Sequence, residues 1–471
     1  MVKTKIGFPS SSVRQINNSQ LRANLKAATS AIREKRARVV GEKEDWEELR
    51  RKGEHVRDEI LNNLDSYLMQ LERSVTAAGG IVHWARDSAE ANQIILSLVQ
   101  GHGETEVIKV KSLTTDELGL NEFLAQHEVT AFETDLAELI VQLAHDKPSH
   151  ILVPAIHKNR SEIRDLFQRT IAQGRVLSNE PAELAETSRL YLRQKFLSSK
   201  IAISGVNFAV ADTGTVCVVE SEGNGRMCLT LPKVLISVMG IEKIVPGPDD
   251  LAIFLELLPR SSTGERMNPY TSLWTGVYPG DGPSEFHLVI LDNGRSRVLA
   301  DPIGRQALRC IRCSACLNVC PVYERSGGHA YDSVYPGPIG AILSPQLFGT
   351  ESSLSLPWAS TLCGACYEVC PVRINIPQVL VHLREKVISQ GHRSRTEAMS
   401  FGLISFFFQT SRRFELLQNI ATRFRVLINH LHVSKSAPGA LGKWAEAREL
   451  PQLPRETFRL WWRRNRDKNG K

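Results

Sequence analysis

With 471 residues, the chain is too long for one ordinary domain, and its length predicts two or three. Its 42% hydrophobic and 23% charged residues are typical of a protein that buries a sizeable core, and its net charge is +7. Much of that charge lies in basic runs at 33–38 and 463–471, which are interpreted as solvated faces or tails. Nucleic-acid binding is not expected, because no nucleic-acid motif accompanies them.

Neither a secretory signal nor a membrane-spanning helix is predicted. The first residues have no apolar core after their lysines, and the best apolar run, at 401–408, is far shorter than the roughly 18 residues that a span needs. We therefore expect a cytoplasmic protein, in which clustered cysteines bind metal more often than they form disulfides.

The first 170 residues predict helices followed by an α/β alternation. Residues 14–75 contain no proline and are rich in Glu, Arg, Leu and Lys, which predicts a mostly helical segment. Asp87 or Ser88 is expected to cap the helix that follows the first strand. Alternating strands and helices predict a largely parallel sheet covered on both faces. The expected strands are 80–85, which looks buried, 106–112 and 150–156.

From residue 200 to 235 the sequence becomes β-rich, and SEGNGR at 221–226 predicts a hairpin turn. Cys217 and Cys228 lie there among Val, Leu and Thr and are interpreted as core residues, since buried cysteine behaves as a small hydrophobe. The α/β alternation then resumes, and 286–294 predicts a last strong strand.

Two cysteine runs carry the chemistry. The spacing C-x2-C-x2-C-x3-C-P is the pattern of bacterial-type iron–sulfur ligation, and thiolates are the ligands that such clusters prefer. Structural zinc is disfavoured, because its ligands usually come as separated C-x2-C pairs. The first run, LRCIRCSACLNVCPVY at 308–323, contains Cys310, Cys313, Cys316 and Cys320, and the second, STLCGACYEVCPVRI at 360–374, contains Cys363, Cys366 and Cys370.

By analogy with two-cluster ferredoxins, the last cysteine of each run binds the other cluster. The expected ligands are Cys310, Cys313, Cys316 and Cys370 for cluster 1, and Cys320, Cys363 and Cys366 for cluster 2.

Seven cysteines leave one ligand of cluster 2 open, and Ser360 occupies the place of the missing cysteine. Its oxygen is one candidate ligand, a three-iron cluster or an open iron is a second explanation, and a ligand from a partner subunit is a third. A fourth is another residue of this chain, namely His329, Cys217 or Cys228. Ser360 is equally explained as a helix-cap or loop serine.

The remaining motifs are weaker. ADTGT at 211–215 and YPGDGPSE at 278–285 are glycine turns that could frame a small-ligand pocket, but neither matches a nucleotide-binding motif. No catalytic set is predicted. FRLWWRRNR near the C-terminus suits a membrane surface or an acidic partner, or a tail that packs its tryptophans on the domain. His83, His157 and His287 are interpreted as isolated structural residues on strand-like segments, and His329 as a loop residue that could also tune a cluster.

CIRCSACLNVCPVY, GGHAYDSVYPGPIGAIL and LCGACYEVCPVRINIP together closely resemble the lactate utilization protein B family. LVPAIHKNRSEI and GVNFAVADTGT resemble its N-terminal domain, which is shared with lactate utilization protein C. The resemblance runs from about residue 70 to the C-terminus. It implies an α/β fold related to sugar-phosphate isomerases and CoA transferases, then an α-helical ferredoxin domain. The family's second run also lacks the first cysteine.

The family implies two [4Fe–4S]-type clusters that carry electrons in the oxidation of L-lactate to pyruvate, with lactate utilization proteins A and C as partners. We expect an electron-transfer subunit without a complete catalytic site of its own, cytoplasmic or peripheral at the inner face of the membrane. The alternatives are an iron–sulfur subunit for another 2-hydroxy acid or glycerol 3-phosphate, and a ligand sensor with structural clusters. The predicted regions are 1–75 (helical), 76–298 (α/β), 299–392 (two-cluster) and 393–471 (helical with a basic tail).

Overall fold

The computed structural model describes residues 7–391, 395–426 and 452–466. The chain divides into two compact units, Met1–Val387 and Ile388–Lys471. The first unit contains the α/β elements and both cysteine runs.

The N-terminal segment is helical, as predicted. Asn18 caps its longest helix by accepting a hydrogen bond from the backbone N–H of Leu21. Apolar side chains at helical spacing, such as Val56 and Ile60, turn one face of this segment into the core. The helices are α1 (Phe8–Ile16), α2 (Ser19–Gly41), α3 (Trp46–Asn62) and α4 (Leu64–Ala77).

Strands and helices then alternate, as the hydrophobic pattern predicts. Asp87 is the cap of the first helix after a strand, since its side chain accepts from the N–H of Glu90. The elements are β1 (Ile81–Ala85), α5 (Ser88–Gly101), β2 (Glu106–Lys109), α6 (Leu113–Leu118), α7 (Leu120–Gln126), β3 (Thr130–Glu133), α8 (Leu136–Leu143), α9 (Arg160–Thr170), α10 (Pro181–Ser198), β4 (Ile201–Gly205), β5 (Phe208–Val210), β6 (Thr215–Glu220), α11 (Asn224–Thr230), β7 (Val234–Gly240), β8 (Ile244–Val245), α12 (Pro248–Ser262), β9 (Tyr270–Thr275), β10 (Glu285–Leu291) and α13 (Arg295–Leu299).

Six strands form one parallel sheet in the order β1-β10-β7-β4-β2-β3. Side chains alternate between its faces, so Leu235 and Met239 of β7 join one apolar cluster while Ile236 and Val238 join another. The parallel sheet covered on both faces is therefore confirmed. A second, four-stranded sheet has the order β8-β5-β6-β9 and is mostly antiparallel.

The predicted strand at 150–156 is wrong. The His150 ring nitrogen Nδ1 accepts hydrogen bonds from the backbone N–H groups of Leu152 (3.0 Å) and Val153 (3.1 Å). Because these donors are used locally, the segment forms turns instead of joining a sheet.

The predicted hairpin at 221–226 is also wrong. The Glu220 carboxylate accepts from the N–H groups of Glu222 and Gly223, both at 2.6 Å, and turns the chain into α11. The strand at 80–85 exists, but it is an edge strand with Ile81 50% exposed and Trp84 43% exposed, and not a buried one.

Helices lie within, between and after the cysteine runs. They are α14 (Ala315–Asn318), α15 (Pro321–Ser326), α16 (Gly337–Leu347), α17 (Ala365–Glu368) and α18 (Ile376–Ser389). The described elements of the second unit are also helices, namely α19 (Arg395–Phe408), α20 (Ser411–Arg423) and α21 (Phe458–Arg466).

The aromatic side chains of α21 stack mainly on one another. The Phe458 ring lies 5.7 Å from Trp461 and 5.9 Å from Trp462, and all three remain at least 43% exposed. Arg463 pairs with Glu415 of α20 at 2.6 Å. Among the described residues, no helix is long and apolar enough to cross a membrane.

Candidate metal centre

The two cysteine runs fold into the same local structure. The helix α14 begins at Ala315 and α17 begins at Ala365, an offset of 50 residues. The same offset relates Cys310 to Ser360, so Ser360 occupies the structural place of a cysteine. Left-handed backbone, which is rare outside glycine, occurs at the same two places in each run, at Arg312 and Ser314 and at Leu362 and Gly364.

Four cysteines converge on one enclosed cavity. Apolar side chains such as Ile311 and Ile374 line the rest of it. Burial first, and then the neighbouring thiols, raise the pKa of Cys316 well above its ordinary value, so it ionises there only with a compensating cation. The four converging residues, all buried, are Cys310, Cys313, Cys316 and Cys370.

Backbone N–H groups point at the sulfurs of this set. Arg312 N–H donates to Cys310 Sγ at 3.4 Å, and Ile374 N–H donates to Cys370 Sγ at 3.3 Å. Hydrogen bonds to cluster sulfurs are one of the means by which proteins set a reduction potential.

The other three cysteines are neighbours of one another. Burial, followed by the charges of Cys320 and Cys363, raises the pKa of Cys366 to about 12. Cys320 and Cys366 are buried, whereas Cys363 is exposed. A hydrogen bond from the N–H of Ala365 is the main cause that lowers the pKa of Cys363. The second set thus has one side open to solvent.

The residues present fit an iron–sulfur cluster better than a single zinc ion. Tetrahedral zinc with Zn–S bonds of about 2.3 Å holds its sulfurs about 3.8 Å apart. Among the described residues, which include all nine cysteines, the groups of three or more ligand atoms within 4.8 Å of one another contain no cysteine. The described cysteine sulfurs are thus not grouped as tightly as one zinc ion requires.

The candidates for the eighth ligand have other partners. Ser360 Oγ accepts a hydrogen bond from Leu362 N–H at 3.1 Å. His329 bonds the Lys147 carbonyl through Nε2 at 2.7 Å, and its ring packs on His157.

Cys217 and Cys228 are fully buried in the α/β core, as predicted, on β6 and α11. Two glycines of the predicted glycine turns are instead closely packed. A Cβ at Gly214 would lie 2.6 Å from the backbone nitrogen of Val75, and one at Gly282 would clash with Trp274.

Three arginines of the N-terminal helices contact the cysteine loops, and we call Arg33, Arg36 and Arg50 the arginine collar. Arg33 donates to the Asn318 carbonyl at 2.9 Å. In the second run, Arg36 donates to the Val369 carbonyl at 3.1 Å. Arg50 donates to the carbonyl of Cys370, the last cysteine of that run, at 2.9 Å. The interpretation of 33–38 as only a solvated run is therefore wrong, although the helical spacing of its arginines was visible.

A buried charge network joins the cysteine domain to the sheet. Glu242 follows β7 and contacts Arg295 at 2.6 Å and Arg312 at 3.2 Å. Burial alone would raise the pKa of Glu242, but these two guanidinium groups outweigh it and lower the pKa to about 2. Arg295 also pairs with Glu117 at 2.8 Å. The carboxyl edge of the parallel sheet thus faces the first cysteine run.

Comparison with known proteins agrees with this architecture. Residues 68–291 match the LUD domain, 306–374 match a 4Fe-4S dicluster domain, and 380–467 match the C-terminal domain of lactate utilisation protein B. A protein named lactate utilization protein B from Anoxybacillus flavithermus is 41% identical, with 95% of each chain covered. The chain belongs to the lactate utilization protein B family.

Other members are equally similar. Lactate utilization protein B of Exiguobacterium sp. is 40% identical with 95% of each chain covered. An Escherichia coli K12 protein named uncharacterized electron transport protein YkgF is 40% identical with 97% of each chain covered. Among solved structures, a DUF162 family protein from Deinococcus radiodurans covers 48% of this chain and 98% of its own, with 12% identity and a TM-score of 0.27.

Proposed function

We propose that this chain is an iron–sulfur electron-transfer protein that takes part in the oxidation of L-lactate to pyruvate. The observation that carries the proposal is the pair of cysteine runs with one local fold, in a chain that matches lactate utilization protein B along nearly its whole length. An iron–sulfur cluster, when bound, accepts and releases single electrons.

The proposed ligands are those expected from the ferredoxin pattern. Cys310, Cys313, Cys316 and Cys370 would hold cluster 1, and Cys320, Cys363 and Cys366 would hold cluster 2. The convergence of the first four on one cavity supports the first set. We infer two [4Fe–4S]-type clusters in an α-helical ferredoxin domain over 299–392, preceded by a helical segment over 1–75 and an α/β domain over 76–298, and followed by a helical region over 393–471.

The chain's own residues would keep the clusters dry and electrostatically compensated. Four arginines bring positive charge towards thiolate ligands that carry negative charge, namely Arg36, Arg50, Arg57 and Arg312. Arg57 is buried and donates to the carbonyls of Ile244 (3.1 Å) and Leu308 (2.8 Å), which fixes the first cysteine run against the α/β domain.

The reaction needs other components. Oxidation of L-lactate to pyruvate releases two electrons and two protons, and a carrier that moves electrons singly must be used twice. We propose that lactate is oxidised elsewhere in a complex with lactate utilization proteins A and C, and that the electrons leave toward a quinone-linked acceptor. The reduced thiols favour a cytoplasmic location.

The test is the composition of anaerobically purified protein, with iron, acid-labile sulfide and zinc measured beside EPR before and after dithionite. About eight irons and eight sulfides with a signal in the reduced state are expected for two cubanes. About seven irons with a signal in the oxidised state would replace cluster 2 by a three-iron cluster. Zinc without sulfide would overturn the electron-transfer role.

A genetic test addresses the substrate. A strain without this gene should fail to grow on L-lactate when no other lactate oxidase is present, and the wild-type gene should restore growth. Restoration by a variant lacking Cys316 would contradict a role for cluster 1.

A further inference from the structure

A group of imidazoles and one carboxylate lies at the amino edge of the parallel sheet, away from the cysteine runs. Glu285 and His287 are the first and third residues of strand β10, and His102 follows the last residue of α5. Glu285 Oε2 lies 3.2 Å from His102 Nε2 and 3.5 Å from His287 Nε2. The three ligand atoms all lie within 4.8 Å of one another.

The two distances from Glu285 match the edges of a metal coordination tetrahedron. Zinc bonds to imidazole nitrogen and carboxylate oxygen are about 2.0–2.1 Å, so neighbouring ligand atoms lie about 3.3 Å apart. Two imidazoles and one carboxylate, with a fourth position left for water, form a ligand set that zinc uses in proteins.

The surroundings of His287 suit a metal ligand. His287 is 4% exposed, and its Nε2 has no hydrogen-bond partner among the described residues. Its other nitrogen, Nδ1, lies 3.1 Å from Nε2 of His83 on the adjacent strand β1. With a metal on Nε2, the Nδ1 proton is donated to His83, which fixes the tautomer and the ring orientation in the way that hydrogen-bonded neighbours of metal ligands do.

The local charge also favours a cation. Among the described residues, Glu285 forms ion pairs only with the two imidazoles. The carboxyl end of the 14-residue helix α5, where His102 lies, carries the negative end of the helix dipole.

A second group, Asp146, His157 and His329, has the same composition but not the same chemistry. Lys158 Nζ lies 2.6 Å from Asp146 Oδ2 and already neutralises it. His329 Nε2 is already bonded to the Lys147 carbonyl at 2.7 Å. This group is therefore accounted for by its own hydrogen bonds.

We propose that His102, Glu285 and His287 bind one divalent transition-metal ion of the zinc class, and that His83 is the positioning residue for His287. The ion would tie the end of α5 to the start of β10. Its place at the amino edge sets it apart from the carboxyl edge that faces the clusters.

The test uses the full-length, iron-loaded protein dialysed against buffered Zn²⁺, with zinc measured by mass spectrometry and zinc K-edge X-ray absorption. We expect about one zinc per chain with only nitrogen and oxygen neighbours at about 2.0–2.1 Å. His102→Ala and Glu285→Gln should each lower zinc occupancy at least tenfold at subsaturating zinc, with iron content and circular dichroism unchanged. His127→Ala, which alters an exposed histidine directly after α7, is the matched control and should keep the zinc.

The positioning role has its own readout. His83→Ala should weaken zinc binding, whereas His83→Gln should largely restore it, because the glutamine oxygen can accept the His287 proton. The proposal is overturned if no zinc is retained, if the zinc neighbours are sulfurs at about 2.3 Å, or if His102→Ala and Glu285→Gln keep their zinc. Loss of zinc in His157→Ala but not in His102→Ala would assign it to the second group and equally overturn the proposal.

Discussion

The first and second cysteine runs share a backbone but differ in their surroundings. The cysteines of the first run are buried, its own Arg312 pairs with Glu242, and the run faces the α/β domain. The second run has Ser360 in place of a cysteine, and its Cys363 is exposed, as are Leu362 and Trp358 beside it. The local fold of a cluster loop and its electrostatic environment are therefore set by separate residues. Since exposure and nearby charge set reduction potentials, the two loops would give two unlike electron carriers under the proposed ligation, and the open one would suit exchange with a partner.

The largest expected effect comes from removing a cysteine of the first run, so that only the second run still holds its cluster. Cys316→Ser should halve the iron content, from about eight to about four per chain, because cluster 1 loses a thiolate that no neighbour can replace. Iron analysis and EPR of anaerobic protein measure this. Cys217→Ala, which changes a cysteine of the α/β core, should keep all the iron; an equal loss in both variants would mean that the iron reports folding and not ligation.

A smaller effect is expected from removing one positive charge beside the first run, which should change the difference in potential between the two clusters. Arg312→Gln removes a buried positive charge next to Cys310. One charge about 8 Å away at an effective dielectric of about 20 is worth about 2 kcal/mol, or about 90 mV for one electron. The potential of cluster 1 in an EPR-monitored titration should therefore fall by about 50 to 100 mV, while cluster 2 moves less. Arg312→Lys keeps the charge and should stay near the wild-type value; equal shifts in both variants would contradict a charge effect.

Asp301, which precedes the first run, ties it to helix α18, which follows the second run. It accepts from Gly304 N–H at 3.0 Å and from His382 Nε2 at 2.9 Å, and it contacts Lys386. Burial alone would raise the pKa of Asp301, but its bonds to Lys386, Gly304 N–H and His382 outweigh it and hold the pKa below its usual range. The contribution to stability is therefore present above about pH 4 and is lost as the pH falls below it.

Asp301→Asn should lower the free energy of unfolding at pH 7 by about 1–2 kcal/mol, as expected for charge-assisted hydrogen bonds. Urea denaturation of the iron-loaded protein measures the change. Asp165→Asn alters an exposed aspartate paired with Arg164 and should cost less than about 1 kcal/mol. A loss as large in the control would show that the effect does not come from the tie.

The smallest expected effect is at Ser360. Because its Oγ already accepts from Leu362 N–H, we expect Ser360→Ala to leave iron, sulfide and the EPR spectrum unchanged. A changed cluster 2 signal in this variant would instead make the serine oxygen a ligand. Ser360→Cys supplies the eighth thiolate and completes the repeat, and is the matched comparison.

Local patterns predicted much of this molecule. The parallel sheet, the Asp87 cap and the two cysteine runs can each be predicted from residues that are close together in the sequence. The strand at 150–156 was wrong because one side chain, His150, takes the N–H groups that a sheet would need. Contacts between distant segments were out of reach, since no pattern tells that β1 and β10 are neighbours. His83 and His287 are 204 residues apart in sequence and were therefore interpreted as isolated, which is wrong.

The arginine collar also has a consequence for biosynthesis. Arg50 and the Cys370 carbonyl that it contacts are 320 residues apart. At a translation rate of about 5–20 residues per second, about 15–60 s pass between the synthesis of Arg50 and that of Cys370. With the proposed ligands, cluster 1 cannot be inserted before residue 370 exists, and a nascent chain stalled before that residue would carry free thiols and leave Arg50 without its carbonyl partner.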